Sequence, residues 1–148
     1  LKLTANLPAG LRLSGNLLLS TETFRDAPFD LLFLPDARRT NERLARTGIL
    51  KLTHLLSSTT FYEIGLTNNY STFENYLFED PLDARYRDPQ FLGYRDPNFF
   101  SGFALGGTDN GRFRRATDTW LLKADFSSQV HPAHLIKTGL EARRHRLT

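Results

Sequence analysis

Apolar and polar residues alternate with a period of two from Thr117 to Leu147. Trp120, Leu122, Ala124 and Phe126 fall on one face of an extended strand, and Thr119, Lys123, Asp125 and Ser127 on the other. After a turn at His131-Pro132-Ala133-His134 the alternation returns, with Ile136, Leu140 and Ala142 opposing Lys137, Glu141 and Arg143. The pattern predicts a hairpin of two long strands. Such an apolar face meets either a core or lipid, and in the second case the charged face lines an aqueous lumen.

The same rhythm occurs twice upstream. Leu1, Leu3 and Ala5 alternate with Lys2, Thr4 and Asn6; Leu7-Pro8-Ala9-Gly10 turns the chain; Leu11, Leu13, Gly15, Leu17 and Leu19 then oppose Arg12, Ser14, Asn16 and Ser20. From Ala45, residues Gly48, Leu50, Leu52 and Leu56 oppose Thr47, Lys51 and Thr53, Ser57-Ser58-Thr59 turns, and Tyr62, Ile64, Leu66 and Tyr70 return opposite Glu63, Thr67, Asn69 and Ser71. Ile49 and Phe61 are misfits on the polar face, His54 and Asn68 on the apolar one. The hairpins are expected at about residues 1–21, 45–76 and 117–147.

Between them lie two long polar segments, 22–43 and 77–116, broken by prolines and rich in Asp and Arg. DLLFLPD in the first is apolar enough to pack on a neighbour. The second holds an echo, Tyr86-Arg87-Asp88-Pro89-Gln90-Phe91 and Tyr94-Arg95-Asp96-Pro97-Asn98-Phe99, best read as two Asp-Pro turns with packed aromatics. Every short turn falls at one end of the strands and both long loops at the other. That asymmetry is the signature of an outer-membrane barrel, whose turns are periplasmic and whose loops are extracellular. The expected fold is all-β: an antiparallel up-and-down meander of about six long strands, forming a segment of a transmembrane β-barrel.

Composition narrows the alternatives. With 40% hydrophobic and 24% charged residues, a soluble domain stays possible, but no run approaches the ~18 apolar residues of a spanning helix. The 148-residue chain has no cysteine, hence no disulfide framework or thiolate metal site. Net charge is +3 with dispersed basic residues, so no nucleic-acid partner is expected. The chain opens at Leu1 without a signal peptide, which reads as an internal piece of a longer protein.

Candidate chemistry is sparse. Lys51 is expected to face Glu63, and Lys123 to face Glu141, as ion pairs across the polar face. His131 and His134 resemble a metal pair, but His145 lies roughly 30 Å up the strand at ~3.3 Å per residue, and His54 is on another hairpin. No spacing singles out a Ser-His-Asp triad. Gly106-Gly107-Thr108-Asp109-Asn110-Gly111 lacks the Walker lysine and the spaced carboxylates of a calcium loop, and reads as a loop tip. No catalytic, cofactor-binding or metal residue is assigned, no cofactor is expected, and the ligand-binding residues are unassigned. Arg144 and Arg146 would face outward beyond the apolar band, where lipopolysaccharide phosphates lie; a solvated strand end explains them equally.

The run WLLKADFSSQVHPAHLIKTGLEARRHRL resembles a barrel hairpin of TonB-dependent outer-membrane receptors, particularly those with an N-terminal carboxypeptidase-regulatory-like domain. Lys123, Asp125, Ser128, Gln129, His134, Ile136, Lys137, Gly139 and Glu141 match the phrase these receptors repeat. LKLTHLLSSTTFYEIGLTNNYSTFENYLFEDP is similar to their preceding hairpin. The resemblance covers most of 44–147 and implies a plugged, TonB-energised barrel that takes up a scarce ligand at the cell outer membrane. It further implies outer-membrane lipid and lipopolysaccharide, the rest of the barrel and plug, and the TonB complex as partners, and no enzyme activity. TonB box and plug are absent from this stretch. The alternatives are a soluble or surface-exposed antiparallel β-sheet binding domain and a barrel-embedded hydrolase.

Overall fold

The computed structural model describes residues 1–87 and 111–148. Six strands form one antiparallel sheet in sequence order: β1 (Lys2–Leu7), β2 (Leu11–Arg25), β3 (Thr40–Ser57), β4 (Thr60–Tyr76), β5 (Phe113–His131) and β6 (His134–Leu147). Short 3-10 turns occupy Phe29–Leu31, Pro35–Ala37 and Ala84–Arg87. The chain groups into two compact units. One comprises Leu1–Ser20, Ala45–Ser71 and Ala116–Thr148; the other comprises Thr21–Leu44 and Thr72–Arg115. The Asp-Pro echo beyond Arg87 and the glycine-rich stretch up to Asn110 lie outside the described residues.

Three turns join the hairpins of the first unit. In the first, Ala9 and Gly10 take positive φ of 60° and 74°. At Gly10 a Cβ would stand 2.7 Å from the Leu55 carbonyl oxygen, and the Gly10 carbonyl accepts from Leu55 N–H at 3.0 Å. Glycine is needed there for both its backbone freedom and its lack of bulk. In the last turn, Gln129 donates its side-chain amide to the carbonyls of His131 and Pro132, and Ala133 N–H donates to His131 Nδ1. His131 therefore serves the turn.

The strands run further than alternation indicates. β2 continues to Arg25, β3 starts at Thr40 and β5 at Phe113, where both faces carry polar side chains and a period-of-two reading has no contrast to follow. Cross-strand bonds hold these ends instead: Arg43 to Glu22 at 3.3 Å, Arg25 Nε to Thr40 Oγ1 at 3.1 Å, and Asn41 Nδ2 to Asp26 Oδ2 at 3.0 Å. Ordered pairing replaces much of the expected 22–43 loop.

Burial divides the units. The buried apolar residues among those described are Leu31, Ala37, Tyr76 and Leu77, all in the second unit. Within DLLFLPD, Leu31 is buried and Leu34 half-buried. In the first unit Leu3, Leu17, Leu50, Trp120, Leu122 and Leu140 all remain solvent-accessible. Among the described residues of the first unit no apolar side chain is buried.

Candidate functional site

The polar face of the first unit is an ion-paired ladder. Lys51 Nζ lies 2.7 Å from Glu63 Oε1, as the sequence predicts, and Thr53 Oγ1 donates to the same carboxylate at 3.0 Å. Lys123 stands directly opposite Glu141. Its amine nonetheless holds Asp125, two residues along its own strand, at 3.0 Å, and Glu141 holds Arg143 at 2.9 Å. The expected Lys123–Glu141 ion pair is thus replaced by two pairs within strands. Gly139 is the reason: it faces Asp125, and a Cβ there would stand 2.7 Å from Asp125 Oδ1. The missing side chain leaves room for the carboxylate that takes Lys123.

The opposite face is apolar and framed by polar groups. Leu1, Leu3, Leu17, Leu50, Leu66 and Trp120 surround an open groove of about 380 Å³. Toward the loop end, Asn68 Nδ2 donates to Asp118 Oδ1 at 2.7 Å, Trp120 Nε1 donates to Asp118 Oδ2 at 3.2 Å, and the Arg46 guanidinium lies 4.8 Å over the Tyr70 ring. Toward the turns, His54 bonds Tyr62 Oη at 3.0 Å and the Ala9 carbonyl at 3.1 Å. The two polar misfits, His54 and Asn68, thereby sit at the margins with their bonds satisfied.

The second unit holds a stack that the sequence reading missed. Arg43 lies over Phe24 at 5.0 Å and Phe73 at 5.6 Å, and Phe73 meets Phe113 at 6.0 Å. Four strand ends meet there, and the guanidinium is held by both phenyl rings and by Glu22. The four residues sit where alternation fades, so period alone could not have found them. Beside them runs a buried amide relay, Asn75 Nδ2 to Asn41 Oδ1 at 2.7 Å and Asn41 to Asp26. Arg85 is tied to Asp83 at 2.7 Å and lies 3.8 Å from the centre of the Phe78 ring. That pairing holds the Asp83 carboxyl at about 2.

Tyr76 Oη donates to Glu42 Oε1 at 2.6 Å. The carboxylate, aided by burial, pushes the phenol up to about 12. The stabilisation from this bond is fully present below the ordinary phenol value of ~10 and is lost as pH rises through the folded value. In NMR of ring-labelled tyrosine, assigned with Tyr76→Phe, the Tyr76 ζ-carbon is expected to titrate near 12. A midpoint near ~10, as for a free phenol, would remove the Glu42 contact from the account.

Among the described residues the four histidines do not converge. The rings of His131 and His134 are 5.4 Å apart, His145 Nδ1 bonds Thr119 Oγ1 at 2.9 Å, and the described residues contain no group of three metal-ligating side chains. No helix among the described residues is long and apolar enough to cross a membrane, which leaves strands unaddressed. Comparison with family models, curated proteins and solved structures returned no match.

Proposed function

We propose that this chain is part of the wall of an outer-membrane β-barrel of the TonB-dependent receptor type, which takes up or binds a scarce ligand. One observation carries the reading: an apolar face left exposed by the described residues, framed at both margins by hydrogen-bonded aromatic and polar side chains, backs an ion-paired polar face. Tyr62 and Tyr70 are separated by roughly 27 Å of strand, which at a tilt of about 40° stands roughly 20 Å tall, close to the ~25 Å apolar band of such barrels. In this reading the spanning part of β4 runs from Tyr62 to Tyr70. The Arg43–Phe24–Phe73 stack belongs to the external mouth, and the plug, the remaining strands and the TonB complex are supplied by other parts of the protein and by its partners.

Accessibility on intact cells tests the orientation. A protease added outside is expected to cut near Arg85 or Arg112, between β4 and β5. Cysteines placed at Ala9, Ser58 or Ala133, in the short turns, should resist an impermeant maleimide. Labelled turns with uncut loops would reverse the orientation and remove the stack from any mouth. A chain recovered in the soluble fraction would favour the β-sheet binding domain.

A further inference from the structure

Gly15 and Gly48 open the groove in an otherwise leucine-covered face, because among the described residues nothing lies within 4 Å of where their Cβ atoms would stand. Three arginines share its face of the sheet, toward the loop side. Arg46 lies two residues before Gly48 and rests on Tyr70. Arg144 stands directly opposite Trp120, and Arg146 directly opposite Asp118; directly opposed residues of an antiparallel pair share a face. Among the described residues the Arg144 and Arg146 side chains have no ion-pair or hydrogen-bond partner, whereas Lys51, Lys123 and Arg143 each hold a carboxylate. Asp118, the acidic member of this margin, is taken by Asn68 and Trp120.

We propose that Arg46, Arg144 and Arg146 bind the phosphates of a phosphorylated, multiply acylated glycolipid of the outer leaflet, one acyl chain of which lies in the groove at Gly15 and Gly48. The inference rests on the barrel-wall reading and names a lipid partner for that wall. Guanidinium forks match phosphate oxygens in geometry as well as charge. Three arginines less one aspartate leave two positive charges at the margin, enough to balance two singly charged phosphates. Arg46 and Arg146 lie three strand spacings apart, roughly 14 Å, so a headgroup carrying phosphates at both ends fits better than a single phosphate. Trp120 beside Arg144 sets the depth, since indoles collect at the membrane interface and would hold the guanidiniums among headgroups.

The test uses the protein as the cell makes it, purified in detergent and titrated with bisphosphorylated lipid A, its monophosphorylated form and phosphatidylglycerol, with native mass spectrometry as the readout. Binding of the bisphosphorylated lipid is expected to weaken about tenfold or more in R46Q/R144Q/R146Q. R46K/R144K/R146K, which keeps the charge and loses the fork, should fall between. Lys137→Gln, on the polar face, should leave binding unchanged. The monophosphorylated lipid should bind more weakly than the bisphosphorylated one. Equal binding by wild type and the glutamine variant overturns the proposal, and so does phosphatidylglycerol binding as tightly as lipid A. A bimane label on L122C in vesicles, quenched by brominated acyl chains, reads the wall separately. Quenching without lipid A selectivity sinks only this inference; no quenching sinks the wall reading beneath it.

Discussion

Leu122→Arg is expected to destabilise the folded, membrane-inserted protein by about 2 to 4 kcal/mol if the site lies near the bilayer midplane, and by less toward an interface. Leu122 is 49% exposed on the face that carries Trp120 and Phe126. In lipid its neighbours would be acyl chains, and a guanidinium there must drag water inward or snorkel to a headgroup. Lys123 is the internal control, one residue along and on the other face. Its amine holds Asp125 at 3.0 Å with both side chains about half exposed. Such a pair contributes at most about 1 kcal/mol, so Lys123→Gln should cost no more than that. Equilibrium folding of both variants of the complete protein into vesicles measures the difference. A silent Leu122→Arg, or a more damaging Lys123→Gln, would mean that the faces are assigned the wrong way round.

The isolated chain is expected to form no stable soluble monomer. β1 and β6 end the sheet, each paired on one side only, and β6 is exposed along its whole length. Unpaired edges template pairing with other chains, and closing a barrel around its side chains takes about eight strands. The first unit buries no apolar side chain among the described residues to offset the entropy of ordering it. In plain buffer the chain should sediment as large aggregates, and in detergent as a dispersed species with retained β-sheet circular dichroism. A sharp monomeric boundary with a cooperative melt in buffer would count against the membrane wall and for a soluble sheet.

Much of the architecture is legible in the residues themselves. The facing of Trp120, Leu122, Ala124 and Phe126 against Lys123 and Asp125 follows from period two, and Pro8-Ala9-Gly10, Ser58-Thr59 and Pro132-Ala133 announce the turns. Where the turn is short, the partner strand is fixed, and with it the meeting of Lys51 and Glu63. What alternation could not reach is the strand ends at 22–25, 40–44 and 113–116. There pairing is held by polar bonds such as Arg43 to Glu22 and Asn41 to Asp26, and polar residues on both faces erase the signal.

The sequence by itself thus determined the fold class, the strand order and which face is apolar, because these depend on local alternation and on turns a few residues long. Only the tertiary structure decided who bonds whom. Lys123 and Glu141 stand opposite each other as period and turn dictate, yet the bare Cα of Gly139 admits the Asp125 carboxylate and diverts the lysine. Likewise Arg43 finds Phe24 and Phe73, and Asn68 finds Asp118, across separations of 19, 30 and 50 residues. Those contacts arise from the lateral stacking of strands, and no short window of sequence carries that information.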